Sequence, residues 1–283
     1  MNNEHDHVDN DISPVTPSSI TPPPQEPVDS FVFTPEPRTV QAGEGVEWIS
    51  QAWALVKEKL GMWILINVVF FLIIFAMAFL PIVSMFVSFV TPVFVGGIIA
   101  ICENQRKTGE ADIGLLFSGF QKKFGELFAI GAINFAANMV GMLIAFLIAG
   151  SAIFSLVMQA DQYDGISDAA LFASTGTFVF AGIVMALASL FGTALTWFAP
   201  ALIMNHDFKI GTSISASLQA VKKNLLPGFL FFLIAMVLMF VSIIPFGLGL
   251  FISMPIMYAT YYSTYRSIFF TESKQSQTSS LLV

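Results

Sequence analysis

His206 and Asp207, in the stretch WFAPALIMNHDFK, are the residues whose types could begin a metal or catalytic site. A catalytic zinc ion needs three protein ligands and an open position, and two histidines four residues apart on a helix commonly supply part of that set. The other two histidines lie within the first seven residues, and no spacing directs Glu103 or Glu110 toward His206. We therefore expect a solvated helix end here, and we predict no metal ion, no cofactor and no catalytic residue.

Nucleophilic chemistry has no better support in the sequence. Cys102 is the only cysteine, so no intramolecular disulfide can form, and no histidine lies near it to activate the thiol. A thiol near the end of an apolar run normally packs as a small apolar side chain. The VGG stretch, Val95 to Gly97, is too short for a phosphate-binding loop. The residue types predict that this protein is not an enzyme.

The polar side chains within the apolar segments are neutral, and they include three amides. Asn134 and Asn138 lie four residues apart, on one helix face, and Asn67 lies in an earlier segment. Amide hydrogen bonds between membrane helices contribute roughly 0.6–2 kcal/mol, which favours a packing role for these intramembrane polar contacts. A substrate-binding amide face is the alternative. No ionisable residue falls in the middle of an apolar segment, which argues against a proton-coupled pump.

Long apolar helices are the elements that must position these residues. Hydrophobic residues make up 55% of the chain and charged residues 11%, whereas about a quarter of the residues of a soluble domain are charged. Several apolar runs exceed the roughly 20 residues that cross a bilayer. We predict an all-α membrane protein with six transmembrane helices, near 62–80, 83–103, 127–150, 175–204, 228–246 and 248–269. Tight turns at Pro81 and at 245–249 close the first and third pairs, and an acidic loop over 158–170 separates the middle pair.

The basic residues indicate the orientation of these helices. With six spans, every lysine and arginine near them falls on one face, and the opposite face carries Asp161, Asp164 and Asp168. By the positive-inside rule, both termini are cytoplasmic. The composition divides the chain into a disordered, acidic, proline-rich cytoplasmic tail over 1–42, a membrane domain over 43–270 and a short polar tail over 271–283.

The membrane domain contains a threefold repeat, in which each helical hairpin follows a short amphipathic helix. Apolar residues at steps of three and four form a stripe on each of these helices, which we expect to lie in the cytoplasmic interface. The stripes are Val46, Ile49, Trp53, Val56 and Leu60; Ile113, Leu116, Phe120, Phe124 and Leu127; and Ile214, Leu218, Val221 and Leu225. The lysines beside them are expected to contact lipid headgroups. They are Lys57, Lys59, Lys122, Lys123, Lys222 and Lys223.

One proline stands in the second span of each pair, at Pro92, Pro200 and Pro255. A proline inside a helix frees the carbonyl group four residues earlier and kinks the helix. We expect these kinks to serve packing and curvature, and a mechanistic hinge at each proline is the alternative. Gly96 and Gly97 are expected to bend or loosen the second span.

Several stretches of the chain resemble a known family. They are RTVQAGEGVEWISQAWALVKEKLGMW, TPVFVGGIIAICENQRKTGEADIGLLFSGF, and FAPALIMNHD followed by SLQAVKKNLLPGF. They resemble an uncharacterised bacterial family of six-span integral membrane proteins and, more loosely, the membrane-domain superfamily of some glycerophosphodiester phosphodiesterases. The resemblance covers about residues 38–270 and implies a bacterial inner membrane, but it transfers no activity and no catalytic residue.

Composition, repeat and resemblance together predict a non-enzymatic envelope protein that associates with membrane lipids or with a partner membrane protein, which includes a second copy of this chain. The alternative is a passive transporter or lipid carrier that uses the proline-containing spans 2, 4 and 6, with Asn134 and Asn138 facing its substrate. We predict no nucleic-acid partner.

Overall fold

The computed structural model describes residues 31–79, 83, 86–163 and 167–272. The chain divides into a main unit, Phe33–Thr271, and a second unit made of Met1–Val32 and Glu272–Val283. Two short strands, β1 Phe31–Phe33 and β2 Phe270–Glu272, pair in a two-stranded sheet. The predictions for residues 1–30, for the turn at Pro81, for Asp164 and for residues 273–283 lie outside the described residues.

The main unit is helical, and the all-α prediction is confirmed apart from the short sheet. Five segments are long and apolar enough to cross a membrane, namely Leu60–Phe79, Val87–Thr108, Phe124–Gln162, Asp168–His206 and Leu225–Ile243. In chain order the helices are α1 Glu44–Glu58, α2 Leu60–Phe79, α3 Val87–Thr108, a 3-10 turn Ile113–Phe117, α4 Ser118–Lys122, α5 Phe124–Tyr163, α6 Asp168–Thr196, α7 Ala199–His206, α8 Ile210–Lys223, α9 Leu225–Ile243 and α10 Leu250–Phe269.

The last helix, α10, corresponds to the sixth predicted span, but it differs in character from the other five. Serine, threonine and tyrosine make up much of its sequence, which lowers its hydropathy, and most of its residues from Ser253 onward are buried in the bundle. The turn predicted at 245–249 lies between α9 and α10, as expected.

The core of the main unit is concentrated at one end of the bundle. The buried residues of α2 all lie in its first half, from Trp63 to Phe70, and those of α3 begin at Val93. At this packed end, α1, the 3-10 turn, α4, α7 and α8 surround the adjoining parts of α2, α3 and α10. Beyond it the helices expose large apolar side chains, such as Phe71 and Phe75 on α2. Exposed apolar surface of this extent is typical of helices that contact lipid.

The middle hairpin is longer than predicted. The loop predicted over 158–170 is helical up to Tyr163 and again from Asp168, where the Ser167 side chain caps α6 by accepting a hydrogen bond from the Ala170 amide. The acidic residues suggested a loop, but the methionine, glutamine and alanine between them favour helix, and the serine supplies a helix start. Helix α5 has 40 residues, and at 1.5 Å per residue it is about 60 Å long.

The amphipathic segments also differ from the prediction. Residues 113–127 do not form one helix, because the chain leaves helical geometry at Lys123, between α4 and α5. In α1 the buried face consists of Gly45, Trp48, Ala52 and Val56, whereas Val46 and Trp53 of the predicted stripe are exposed. Helix α8 likewise buries its small residues, namely Ser213, Ala216, Ser217 and Ala220. The large apolar residues of α8 are therefore only partly buried, and its small residues allow the helix to approach the bundle closely. In α1, Trp48 and Val56 are buried together with the small residues.

The segment before α1 is ordered where the sequence predicted a disordered tail. From Thr34 to Val40 it lies against α8 and α10, and the Thr34 and Arg38 amides donate to the carbonyl groups of Phe269 and Ile268. The Asn224 side chain accepts from the Val40 amide at 2.8 Å and donates to the Arg38 carbonyl at 2.9 Å. Because these contacts join positions between 184 and 235 residues apart, the local composition gave no sign of them.

The three prolines occupy different positions in their helices. Pro92 and Pro255 lie inside α3 and α10, but Pro200 stands in the first turn of α7, after a break at Trp197 and Phe198. The break in this part of the chain therefore precedes Pro200, whereas Pro92 and Pro255 lie within continuous helices. Near Pro92, a Cβ atom built on Gly131 of α5 would lie only 2.5 Å from the Phe89 carbonyl oxygen, so α5 crosses α3 at close range.

Candidate functional site: a basic rim and an aromatic groove

In each of the three lysine pairs, the second lysine contacts another segment within the described part of the chain. Lys59 forms an ion pair with Glu110 at 2.8 Å, and Lys123 forms one with Asp207 at 2.7 Å. In the third pair, Lys223 donates to the Pro37 carbonyl at 2.9 Å. In each pair, the second lysine therefore connects the segment before a long apolar helix to a segment elsewhere in the chain.

The first lysine of each pair is exposed and makes no ion pair within the part of the chain that the structure describes. We call Lys57, Lys122 and Lys222 the basic rim. Each lies within three residues of the first helix of a hairpin, α2, α5 or α9. Each member of the basic rim is therefore an exposed lysine near the start of a long apolar helix.

The Lys123–Asp207 pair accounts for the aspartate that the sequence marked as a candidate ligand. The hydrogen bond from Lys123, together with its positive charge, lowers the pKa of Asp207, and the same contact raises the pKa of Lys123. Asp207 takes the left-handed conformation that ends α7, with φ 53°. Its carboxylate is thus already paired with a lysine.

His206 contacts aromatic side chains, whereas Asp207 pairs with Lys123. Its ring stacks on Phe33 with centroids 3.3 Å apart, and its Nε2 atom hydrogen-bonds the Tyr265 hydroxyl group. Phe208 and Phe270 lie near the same ring. His206 and Asp207 therefore do not share a site, and among the described residues no group of three histidine, cysteine, aspartate or glutamate side chains could hold a metal ion.

Glu103 belongs to a polar cluster that joins the ends of α3 and α10. Its carboxylate accepts from Arg106 at 2.9 Å, from Lys107 at 3.0 Å and from the Tyr262 hydroxyl group. Arg106 also donates to the Tyr262 oxygen at 3.0 Å. The neighbouring Cys102 is fully buried in the core. The Glu103 carboxylate therefore accepts from three side chains, as is typical of an ion pair with a structural role.

The intramembrane amides lie between helices. The Asn134 amide donates to the Thr196 hydroxyl at 3.0 Å, and the Asn138 amide donates to the Asn134 side-chain oxygen at 3.0 Å. The first bond connects α5 with the end of α6, and the second lies within α5. Asn67 is buried on α2. Such contacts favour the packing role over a substrate-binding face.

An apolar groove of about 480 Å³ is lined in part by Val221 and Asn224, near neighbours in the chain of Lys222 of the basic rim. One wall comes from α6, with Leu190, and the opposite wall comes from α9, with Phe229 and Phe232. Trp197 and Trp48 form much of its floor, and Trp197 stacks on Tyr261 with centroids 4.4 Å apart. Trp48 is nearly fully buried, and its indole Nε1 atom has no hydrogen-bond partner among the described residues.

Ser217 of α8 forms the helix break that borders this groove. In an unbroken helix, the Phe198 amide would donate to the Ala194 carbonyl. Instead it donates to the Ser217 hydroxyl at 3.2 Å, and that hydroxyl donates to the Ala194 carbonyl at 2.8 Å. A side chain inserted into the hydrogen-bond ladder is one of the recognised causes of a kink. Pro200, which has no amide hydrogen, is compatible with the same break.

Sequence reasoning did not identify Ser217, Asn224, Gln105 or the unpaired Trp48 indole. The small, polar face of α8 was the available signal for Ser217, since serines at 213 and 217 lie on one helix face. Nothing in the local sequence marked the other three, because their roles depend on contacts with distant segments.

The fold and the candidate site define a helical protein with several membrane-compatible helices and three exposed lysines near the starts of α2, α5 and α9. No protein-family model, no curated protein and no solved structure matches the chain. The resemblance to the six-span bacterial family stays a prediction.

Proposed function

We propose that this chain is a six-span, non-enzymatic protein of a bacterial inner membrane that associates with lipids at its cytoplasmic face. The observation that carries the proposal is the threefold pattern of lysine pairs, in which Lys57, Lys122 and Lys222 are exposed beside the start of an apolar hairpin. Lysines at that position meet the negative surface of the inner leaflet. Trp53, exposed on α1, and Phe124, exposed at the start of α5, add apolar contacts at the same level.

The six-span topology rests on α10 as the last crossing. A sixth span returns the chain to the face that holds the lysines, so that the basic rim and both termini are cytoplasmic. The polar side chains of α10 do not oppose this placement, because most of them are buried against other helices rather than facing lipid. The three hairpins then form the proposed repeat, each with a basic segment before it.

Cysteine labelling tests this topology. In a Cys102→Ala background, we expect an impermeant maleimide added to intact spheroplasts to label Asp161→Cys at the end of α5. Lys222→Cys should react only after the membrane is permeabilised, because α8 lies on the cytoplasmic side in the proposed orientation. Both positions are exposed, so accessibility in the fold does not limit either reaction. Labelling of Lys222→Cys in intact spheroplasts would show that the orientation is inverted.

Removing the basic rim should weaken the association with anionic lipid. Each lysine near an anionic surface contributes about 1 kcal/mol, so we expect Lys57→Gln, Lys122→Gln and Lys222→Gln together to lower retention of phosphatidylglycerol relative to phosphatidylcholine by about tenfold or more. Lipid mass spectrometry of the purified protein measures that ratio.

The matched control for this experiment removes two exposed lysines outside the repeated positions, by Lys107→Gln and Lys209→Gln. An equal loss in the control would mean that general charge, and not the basic rim, holds the lipid. Unchanged retention in the triple variant would refute the proposal.

A carrier is the second candidate, and the helix break at Trp197 and Phe198 favours it, because both residues line the groove. Interrupted helices at a binding site are typical of transporters. Proteoliposomes distinguish the two functions: a carrier moves labelled phospholipid between leaflets, whereas a protein that only associates with lipid leaves its distribution unchanged.

A further inference from the structure

We propose that the groove between α6 and α9 binds one acyl chain of an anionic glycerophospholipid from the leaflet next to the basic rim. This inference rests on the proposed lipid association and names the site and the ligand class. Its first support is the surface beside the groove. Leu190 and Phe229, on the two walls, are 60% and 65% exposed. An apolar chain can therefore enter from the side without leaving an apolar environment.

The size of the groove favours a chain over a protein helix. A volume of about 480 Å³ lies within the range of roughly 300–1,000 Å³ that is usual for small-molecule pockets. A helix from a partner protein has a diameter of about 10 Å with its side chains and a pitch of 5.4 Å, so a volume of about 480 Å³ would hold only about one helical turn. A flexible hydrocarbon chain fits between flat aromatic rings.

The chemistry at the end of the groove identifies the rest of the ligand. Asn224 and Val221 line the groove, and Lys222 of the basic rim lies between them in the chain, where it is exposed on another face of α8. The buried Trp48 indole, which also lines the groove, has a hydrogen-bond donor without an acceptor among the described residues. Glycerophospholipids carry ester carbonyl groups, which accept hydrogen bonds, between the acyl chains and the phosphate. A chain in the groove would bring such an acceptor toward Trp48 and the phosphate toward Lys222.

Filling the groove is the direct test. Gly228 lines the groove, and a Cβ atom built on it meets nothing within 4 Å, so Gly228→Phe should place a ring in the groove without a clash at its base. Gly182→Phe is the matched control, because Gly182 is also a helical glycine with nothing within 4 Å and lies outside the groove. Native mass spectrometry with dioleoylphosphatidylglycerol measures the bound lipid. We expect about a tenfold loss of the retained lipid in Gly228→Phe and wild-type retention in Gly182→Phe.

A second measurement uses the unchanged chain and so does not depend on the folding of a variant. A phosphatidylglycerol with a diazirine at the middle of one acyl chain should crosslink mainly to peptides that contain Leu190, Phe229 or Phe232. Even labelling of all exposed apolar helices, including Phe71 and Phe75 of α2, would overturn the inference. Replacing Trp48 with phenylalanine keeps the ring but removes the donor, and it should lower retention of the diacyl lipid.

The outcomes separate the site from the proposed function. If the basic-rim variant loses lipid while Gly228→Phe retains it, the groove inference is wrong and the general lipid association stands. If both variants retain lipid, both proposals are wrong. Co-purification of a polypeptide that Gly228→Phe removes, without bound lipid, would identify the groove as a protein-docking site and overturn its assignment to an acyl chain.

Discussion

Replacing Gly97 with alanine is expected to destabilise the protein more than any other change of similar size. A Cβ atom at this position would lie 2.0 Å from the Leu116 carbonyl oxygen in the 3-10 turn that follows α3. Because the obstacle is backbone, no side-chain rotation relieves it, and α3 and the turn must separate. We expect a cost at or above the upper end of the about 1–3 kcal/mol that is usual for overpacking.

Two other glycines make the experiment a graded series. At Gly96, the nearest atoms to an added Cβ belong to the flexible side chains of Leu127 and Met204, at 2.9 and 3.0 Å, so alanine should cost less there. At Gly182 nothing lies within 4 Å, and alanine should stabilise the helix by about 0.4–1 kcal/mol. Thermal unfolding of the three variants in detergent measures the order. Equal stability of Gly97→Ala and Gly182→Ala would contradict the close packing of the turn on α3.

The surroundings of Gly96 and Gly97 correct the role expected for this glycine pair. The sequence suggested that Gly96 and Gly97 loosen the second span, but both are buried inside a continuous α3. Their lack of a side chain allows the 3-10 turn and α5 to approach the helix. A glycine in a helix can serve either purpose, and only the position of the neighbouring segments decides between them.

The helices themselves could be predicted because their signal is local. Apolar runs placed the spans near 62–80 and 228–246, where α2 and α9 span Leu60–Phe79 and Leu225–Ile243. The ends of the middle hairpin were missed, since a few acids in a helix-forming sequence resemble a loop. The basic residues were also found from their spacing, but their division into bound and free lysines was not, because it depends on Glu110, Asp207 and Pro37.

The residues that could not be predicted from the sequence are polar side chains that hydrogen-bond the backbone of a distant segment. Ser217 accepts a hydrogen bond from the Phe198 amide, just before α7 begins. Asn224 accepts one from the Val40 amide, in the segment before α1. In the sequence, both look like ordinary polar residues of an amphipathic helix. A side chain of this kind can pair with many backbone groups, so its partner follows from the tertiary arrangement and not from its neighbours in the chain.

Gln105 is a buried polar side chain of the same kind, and among these side chains its replacement is expected to lower the free energy of unfolding the most. Its side-chain oxygen accepts from the Trp63 indole at 2.8 Å, and its amide donates to the Leu55 carbonyl, in the last turn of α1, at 2.7 Å. One side chain thus joins α1, α2 and α3. Gln105→Leu keeps a similar volume but leaves the Trp63 donor and the Leu55 acceptor without it. Since an unsatisfied buried polar group costs about 1–3 kcal/mol, we expect a loss of about 2–4 kcal/mol for the two.

A double-mutant cycle separates the hydrogen bond from the packing. Trp63→Phe removes the indole donor, so Gln105→Leu should cost less in that background than in the wild-type chain. The difference should be about 0.5–3 kcal/mol, as for residues in direct contact. Gln219→Leu is the control, because Gln219 is an exposed glutamine on α8 whose amide donates to the Ser215 hydroxyl at 3.3 Å. Denaturant titration in micelles measures the unfolding free energies of the wild-type chain, the two single variants, the double variant and the control. Additive effects at Gln105 and Trp63 would show that their contact contributes nothing to stability, and the junction of α1, α2 and α3 would then depend on apolar packing alone.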